Sequence, residues 1–448
     1  MSGKAYIERP RWTCALGGAL AAAGNMPGVV PILHAGPGCA GNFAWTNNGS
    51  AGLNVTGGCL ALGVPSTNLQ ESEVVFGGLD RLREEIVNAR RIMEGSVFLV
   101  LTGCLPEVIG DDVGGLVDEL AGRRGGLAHV SVPGFKGDSF LGYDEALRVI
   151  FEKVVPRSGK KRGDLVNVWG IPPTLDPFWR GNLDGLIGLL GLLGLKANVF
   201  FGPRASLAAV RQAGSAALNV VASGLYGIQA AESFRERHGV GFVQAPLPFG
   251  AGASDRFLGT VGRALGLPAR RVRGAIEAAG RSHYQYLEPL IDVYNDMEAQ
   301  RHALVIGDAN YALAISDFLA GDLGWVPELV VITDDLSRER RESLLSFHRE
   351  AGGIAPGRLF FGHRAGDILR EARCIWPEGD GGGYRDPRSP IFVAGSSLDR
   401  DLAARLGAGH LSLSYPVANR AILSRGYTGY GGGLTLTEDL IGAFIAGR

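Results

Sequence analysis

Short apolar runs rich in β-branched residues alternate with longer amphipathic stretches along this chain, and that alternation leaves few folds open. The runs are Val29–Leu33, Val97–Leu101, His129–Val132, Leu165–Trp169, Asn198–Phe201, Asn219–Ala222, Gly241–Ala245, Ala303–Ile306, Leu329–Thr333, Leu359–Phe361 and Ile391–Ala394. Between them lie stretches of helical periodicity such as Leu79–Met93, Leu116–Arg124, Tyr143–Lys153 and Tyr311–Leu319. Strands separated by helices predict parallel α/β units. Several strands end in glycine followed by a helix start, as in Ile306-Gly307-Asp308 and Ala394-Gly395-Ser396. Such ends gather ligands at the carboxyl edge of a parallel sheet.

A chain of 448 residues is too long for one core, so three Rossmann-like α/β domains with parallel sheets are expected. The basic, polar segment Pro156 to Gly163 marks the first boundary, and the helical stretch Ile276 to Gln300 closes the second unit. The predicted domains are 1–160, 161–300 and 301–448. Pro377 to Pro390 is a loop by composition. A net charge of −1 gives no support to nucleic-acid or anionic-membrane binding. Met1 to Arg11 has no leader pattern, and the most apolar run, Leu186 to Leu195, is far too short to span a bilayer. Five cysteines in a chain of this length fit a reducing compartment, so a cytoplasmic location is expected.

Three of those cysteines sit in distinctive glycine-bearing motifs. Cys14 precedes Ala-Leu-Gly-Gly, where its sulfur meets a helix N-terminus that favours thiolate. Cys39 follows Gly36-Pro37-Gly38 after one strand, and Cys104 follows Thr102-Gly103 after another. Soft thiolates at the ends of different loops suit iron-sulfur ligation better than a disulfide framework. Three ligands leave a cluster undercoordinated, which points to a partner subunit. A lone free cysteine is usually a buried small hydrophobe; three in comparable loops weaken that reading. Cys59 and Cys374 are read as buried and not ligating, although Cys59 can approach the same interface. His34, just before the Gly-Pro-Gly turn, is either a neighbour of the cluster or a satisfied core histidine.

With these motifs the chain resembles the β-type subunit of the nitrogenase component 1 family. The likeness extends through Ser66-Thr67-Asn68-Leu69-Gln70-Glu71-Ser72-Glu73-Val74-Val75-Phe76-Gly77-Gly78 and Glu107-Val108-Ile109-Gly110-Asp111-Asp112. It continues through Pro246-Leu247-Pro248-Phe249-Gly250, Ile306-Gly307-Asp308 and Gly426-Tyr427-Thr428-Gly429-Tyr430-Gly431-Gly432. The resemblance implies the nitrogenase component 1 fold and assigns Cys14, Cys39 and Cys104 to an iron-sulfur P-cluster ([8Fe-7S]) shared with an α-type subunit. It implies an α2β2 heterotetramer and an ATP-hydrolysing reductase iron protein as electron donor; no phosphate-binding Gly-x-x-x-x-Gly-Lys motif occurs in this chain. Residues 160–300 contain no cysteine, and Ser412 to Gly432 contains no histidine. Cys374 and His410 lie outside the motifs that bind the catalytic cofactor in α-type subunits, so that cofactor is expected in the partner and no catalytic residue is assigned here.

Two departures from the family pattern stand out. Where conventional β-subunits carry a redox-linked serine ligand, this chain has Asp138 followed by Ser139, and both are candidate oxygen ligands. Cys14 also lies close to the start of the sequence, without the long arm some β-subunits wrap over their partner. Glu71 to Gly78 is either a docking surface for the reductase or a solvated helix start. The expected function is an electron-transfer subunit of a nitrogenase-like, ATP-dependent reductase. Methylthio-alkane reductase, which cleaves C–S bonds of small methyl thioethers, is favoured over a vanadium or iron-only dinitrogenase. A cofactor-assembly scaffold without turnover is the contrasting reading, and the complete cysteine triad argues against it.

Overall fold

The computed structural model describes residues 11–53, 63–122, 126–377 and 392–446. They form three parallel sheets that follow one another along the chain. The first unit contains α1 (Ala15–Asn25), β1 (Val29–His34), α2 (Pro37–Gly49), α3 (Glu71–Phe76), α4 (Leu79–Ile92), β2 (Val97–Thr102), α5 (Cys104–Ile109), α6 (Val113–Ala121), β3 (Leu127–Ser131) and α7 (Ser139–Val154). The second contains β4 (Arg162–Trp169), α8 (Trp179–Leu192), β5 (Lys196–Asn198), α9 (Leu207–Gln212), β6 (Ala216–Val221), α10 (Ile228–His238), β7 (Phe242–Gln244), α11 (Gly250–Ala264), α12 (Ala269–Leu287) and α13 (Ile291–Asp296). The third contains β8 (His302–Gly307), α14 (Ala309–Gly321), β9 (Val326–Ile332), α15 (Arg338–Glu350), β10 (Arg358–Phe361), α16 (Ala365–Ile375), β11 (Phe392–Gly395), α17 (Arg400–Arg405), β12 (Gly409–Ser412) and α18 (Gly429–Ala446).

Strand orders are β1-β2-β3, β5-β4-β6-β7 and β10-β9-β8-β11-β12. Strands β1 and β2 are buried along their whole length, as strands covered on both faces must be. Two readings need correction. The apolar run Asn198–Phe201 joins the sheet only through Asn198, because β5 begins earlier, at Lys196, and Val199 to Phe201 leave it as buried loop. Strand β12 was not anticipated: Gly409-His410-Leu411-Ser412 lacks a β-branched run and is held only by pairing with β11. Most of the Pro377–Pro390 loop lies outside the described residues. No helix among the described residues is long and apolar enough to cross a membrane.

Helices α1 and α7 cross with their backbones almost in contact. A Cβ on Gly18 would fall 1.8 Å from the Ser139 carbonyl oxygen, and one on Gly142 would fall 1.7 Å from that of Ala15. Glycine at both positions is what lets the two helices approach. The crossing sets the N-termini of α1 and α7 side by side, with Ala15 N–H donating to Gly137 O and Ser139 N–H to Thr13 O, each at 2.9 Å.

The carboxyl ends of strands from the second and third sheets face a cavity of about 20 Å³, lined by residues from all three units, among them Trp12, Ser139, Asp176, Tyr226, Asp308 and Asp334. Asp176 accepts from Tyr311 Oη at 2.6 Å and from Asn182 Nδ2 at 2.9 Å; Asp334 accepts from the Ala309 N–H at 2.6 Å. Burial, and then Asp308, push the Asp334 carboxyl up to about 8. A space this small admits on the order of one water.

Two predictions follow from this packing. The higher helix propensity of alanine, worth about 1 kcal/mol, cannot offset a Cβ that meets backbone, so Gly142→Ala is expected to lower unfolding free energy by about 2–3 kcal/mol in urea titration. For Asp334, the folded chain holds a proton that the unfolded chain releases above the ordinary value of 3.8, so its contribution to stability falls as pH rises from about 4 to about 8. Asp334→Asn keeps an acceptor for the Ala309 N–H; its unfolding free energy should fall less than that of the wild type across this window.

Candidate metal-cluster site

The carboxyl ends of β1 and β2 are paired in register, His34 against Thr102, so the chain leaves both strands at the same edge of the first sheet. After β1 the turn Ala35-Gly36 enters α2, whose first turn carries Cys39, with its N–H donating to Gly36 O at 3.1 Å. After β2, Gly103 caps α5 and Cys104 is its first residue. After β3, Val132-Pro133 leads to Gly134, whose N–H donates to Cys104 Sγ at 3.0 Å. Cys14 caps α1 from outside this set and reaches the same place through the α1–α7 crossing. A Cβ on Gly134 would lie 3.4 Å from the sulfurs of both Cys14 and Cys104. Glycine there leaves the space between the two thiols open.

All three are free thiols. Burial raises the Cys39 pKa, and the nearby Cys14 and Cys104 raise it further. The sulfurs of Cys14 and Cys104 flank the open space beside Gly134, and Cys39 enters the first turn of α2 at the same end of the sheet. Cys104 is exposed while Cys14 and Cys39 are half-buried, so the constellation opens onto the surface. Among the described residues, no three His, Cys, Asp or Glu side chains are arranged to hold a single metal ion. Separated soft sulfurs fit a multi-iron cluster, in which different irons take different thiolates, better than zinc, which needs four convergent donors.

The neighbouring polar residues hold the loops. His34 is fully buried, with Nε2 3.0 Å from Asp111 Oδ2 and Nδ1 3.2 Å from Thr67 Oγ1. A neutral ring donating from Nε2 to the carboxylate and accepting the Thr67 hydroxyl satisfies both bonds. Burial depresses its pKa against the opposing pull of Asp111, which favours that neutral form. Both ring nitrogens are thereby used away from sulfur. Asp111 also accepts from the Gly78 N–H at 3.0 Å, tying the turn between α3 and α4 to the segment after α5.

Asp138 and Ser139 diverge. Asp138 caps α7, and its backbone bridges to that of Cys14. Its carboxyl is pushed up to about 6, by burial first and by Asp335 second, with Arg340 opposing. The Ser139 hydroxyl is buried and 2.7 Å from Tyr226 Oη, turned toward the central cavity. Cys59 lies outside the described residues. Cys374, read from the sequence as core, is instead exposed in the last turn of α16, on the polar side of an amphipathic helix. His410 sits on β12 with Nε2 2.9 Å from Ser396 O, away from the thiols. Sequence reasoning passed over Gly134, although it follows a strand through Pro133 much as Cys39 follows β1 through a proline-bearing turn.

Beside the thiols, Val75, Phe76 and Val108 are 71, 87 and 74% exposed. Helices α3 and α5, which carry them, pack together. Large apolar side chains presented this openly on neighbouring helices mark an interaction surface.

The sequence matches the family described as nitrogenase component 1 type oxidoreductase over residues 14–445. It is 25% identical to the nitrogenase iron-iron protein beta chain of Rhodobacter capsulatus, over 73% of each chain. It is 24% identical to the nitrogenase molybdenum-iron protein beta chain of Bradyrhizobium diazoefficiens, over 98% of this chain and 84% of that one. With the vanadium-iron protein beta chain of Trichormus variabilis it shares 22% identity, over 74 and 73%. In fold it is similar to the solved structure of nitrogenase Cp1 at pH 6.5, with a TM-score of 0.78 at 18% identity, covering 100% of this chain and 95% of the other. A match spanning nearly the whole sequence, on a fold that carries the three thiols to one edge, places the chain in the nitrogenase component 1 type oxidoreductase family.

Proposed function

We propose that this chain is the electron-transfer β-type subunit of a nitrogenase-like, ATP-dependent reductase, working in the cytoplasm in an α2β2 assembly. The observation that carries the reading is the meeting of Cys14, Cys39 and Cys104 at one exposed sheet edge. In this reading they hold this chain's share of an [8Fe-7S] P-cluster whose other ligands come from the α-type subunit. The bound cluster supplies storage and relay of electrons. The chain's own part is to present three thiolates, to hold Cys104 with the Gly134 N–H, and to brace the loops through His34, Asp111 and Thr67. The exposed apolar surface of Val75, Phe76 and Val108 is the docking face for the ATP-hydrolysing reductase iron protein.

The catalytic cofactor is assigned to the partner subunit, because residues 160–300 hold no cysteine and Ser412 to Gly432 no histidine to bind it. Asp138 is retained as a candidate oxygen ligand through its backbone bridge to Cys14, whereas the Ser139 hydroxyl is engaged with Tyr226. For the reaction, reductive C–S cleavage of small methyl thioethers is the favoured reading. Its support is the aspartate in place of the expected serine and the even, low identity to iron-iron, molybdenum-iron and vanadium-iron beta chains. Those same relatives favour dinitrogen reduction as the second reading.

Anaerobic purification with the co-purifying partner, followed by metal analysis, tests both levels. Iron well above the roughly four atoms of one cubane cluster, without molybdenum or vanadium, is expected. Only about four irons per pair would remove the P-cluster assignment; stoichiometric molybdenum or vanadium would favour dinitrogenase. Dimethyl sulfide and dinitrogen assays then separate the two reactions. Phe76→Ala is expected to leave iron content unchanged and to weaken reductase binding about tenfold or more, measured by titrating turnover against the reductase protein.

A further inference from the structure

The residue three places before Cys14 is held by another unit of the fold. Arg11 is a buried guanidinium, 4% exposed, and makes a bidentate pair with Asp399, itself 1% exposed. Nη1 and Nη2 donate to Asp399 Oδ2 and Oδ1 at 2.9 and 2.8 Å. Nη1 also donates to Ser396 Oγ at 3.1 Å and Nε to His363 O at 2.9 Å. Asp399 is itself fixed, because Oδ2 accepts from Ser396 N and Oγ at 2.7 and 2.8 Å. The next residue, Trp12, meets the His363 ring edge-on at 5.8 Å between centroids. All of these partners lie in the turns after β10 and β11, in the third unit.

A second thiol segment is anchored on the same unit. Just past the end of α2, which carries Cys39, Ala51 pairs with Val417 as an isolated parallel bridge. The Val417 N–H donates to Ser50 O at 2.6 Å, the Gly52 N–H to Val417 O at 2.8 Å, and the Ile422 N–H to Gly52 O at 2.9 Å. Gly52 holds a φ of +80°, with the Ile422 side chain 2.7 Å from where its Cβ would be. Cys104, in contrast, is placed entirely by its own sheet, through β2, Gly103 and the Gly134 N–H.

From this we infer that the third unit is a clamp on the Cys14 segment, that it also ties the far end of α2, and that Arg11, through Asp399, is the positioning residue for Cys14. The functional meaning rests on the proposal that Cys14 is a cluster ligand; the mechanical link does not. A planar bidentate pair with a third side-chain partner fixes orientation as well as position, which a lysine in the same place cannot do. The Cys14 segment is then held between two anchors, the backbone of α7 on one side and the third unit on the other. Slackening the second anchor frees the sulfur to swing while Cys104 stays in place.

The test uses the full-length chain and its complex with the partner subunit. In the iron-depleted full-length chain, alkylation rates of Cys14 and Cys104 are read by mass spectrometry. Arg11→Met is expected to speed alkylation of Cys14 roughly tenfold or more while leaving Cys104 unchanged, because breaking a buried pair loosens the segment it ties. Arg11→Lys should fall between the two. The double variant Arg11→Met with Asp399→Leu leaves no buried charge unpaired, so it guards against simple unfolding, and it should reproduce the selective gain at Cys14. Equal rates at Cys14 in wild type and the double variant, or a parallel rise at both cysteines, would overturn the clamp. In the purified complex, iron content and the electron paramagnetic resonance spectrum of the oxidised state report on the cluster separately. Selective alkylation in a complex with no interfacial cluster would uphold the clamp and remove only the ligand reading. A normal cluster with unchanged alkylation would do the reverse.

Discussion

The α1–α7 crossing is the contact on which the site depends. Two helices whose backbones nearly touch through Gly18 and Gly142 carry their N-termini to the same point, and Cys14 and Asp138 are the residues at those ends. Close-packed interiors transmit such a constraint without slack. A side chain at either glycine would push α1 away and take Cys14 with it. The other two cysteines arrive by a different route, as the first turns of helices that follow neighbouring parallel strands. Three thiols reach one edge because a helix crossing and a strand pairing agree in register.

Around that edge, buried polar groups serve position more than chemistry. His34 joins β1 to the Thr67 loop and to Asp111, and Asp111 in turn holds Gly78. Buried polar groups persist when every partner is satisfied, and this network meets that condition. The junction of the three units has a different character. Several aspartates there are buried with raised proton affinity, and tyrosine hydroxyls and backbone N–H groups fill their acceptor sites. The junction is packed shut by polar side chains, while the cysteine edge is open to the surface.

Much of this was legible in the sequence. The β-rich runs at Val29, Val97 and Ala303 became buried strands almost where the pattern put them, because a strand buried on both faces must be continuously apolar. The glycines before Cys39 and Cys104 marked strand-to-helix turns from local backbone need. Other features were not legible. β12 has no strand composition and exists through pairing with β11. Cys374 lies in an amphipathic helix, and the single cysteine gave no sign of which face it would take. Adjacent residues at Asp138 and Ser139 looked interchangeable as oxygen donors, yet the helix start separates them: one remains half-exposed and the other turns inward to Tyr226.

Local chemistry in the sequence determined the parallel α/β units, the turns that end in cysteine and the soft character of the donor set, because each depends on residues near one another in the chain. The tertiary structure decided which cysteines meet, that they meet at an exposed edge, and that Arg11 finds Asp399 across almost the whole length of the protein. These outcomes depend on how far two helices can approach and on which distant carboxylate can satisfy a buried guanidinium, and neither is set by any one stretch of residues.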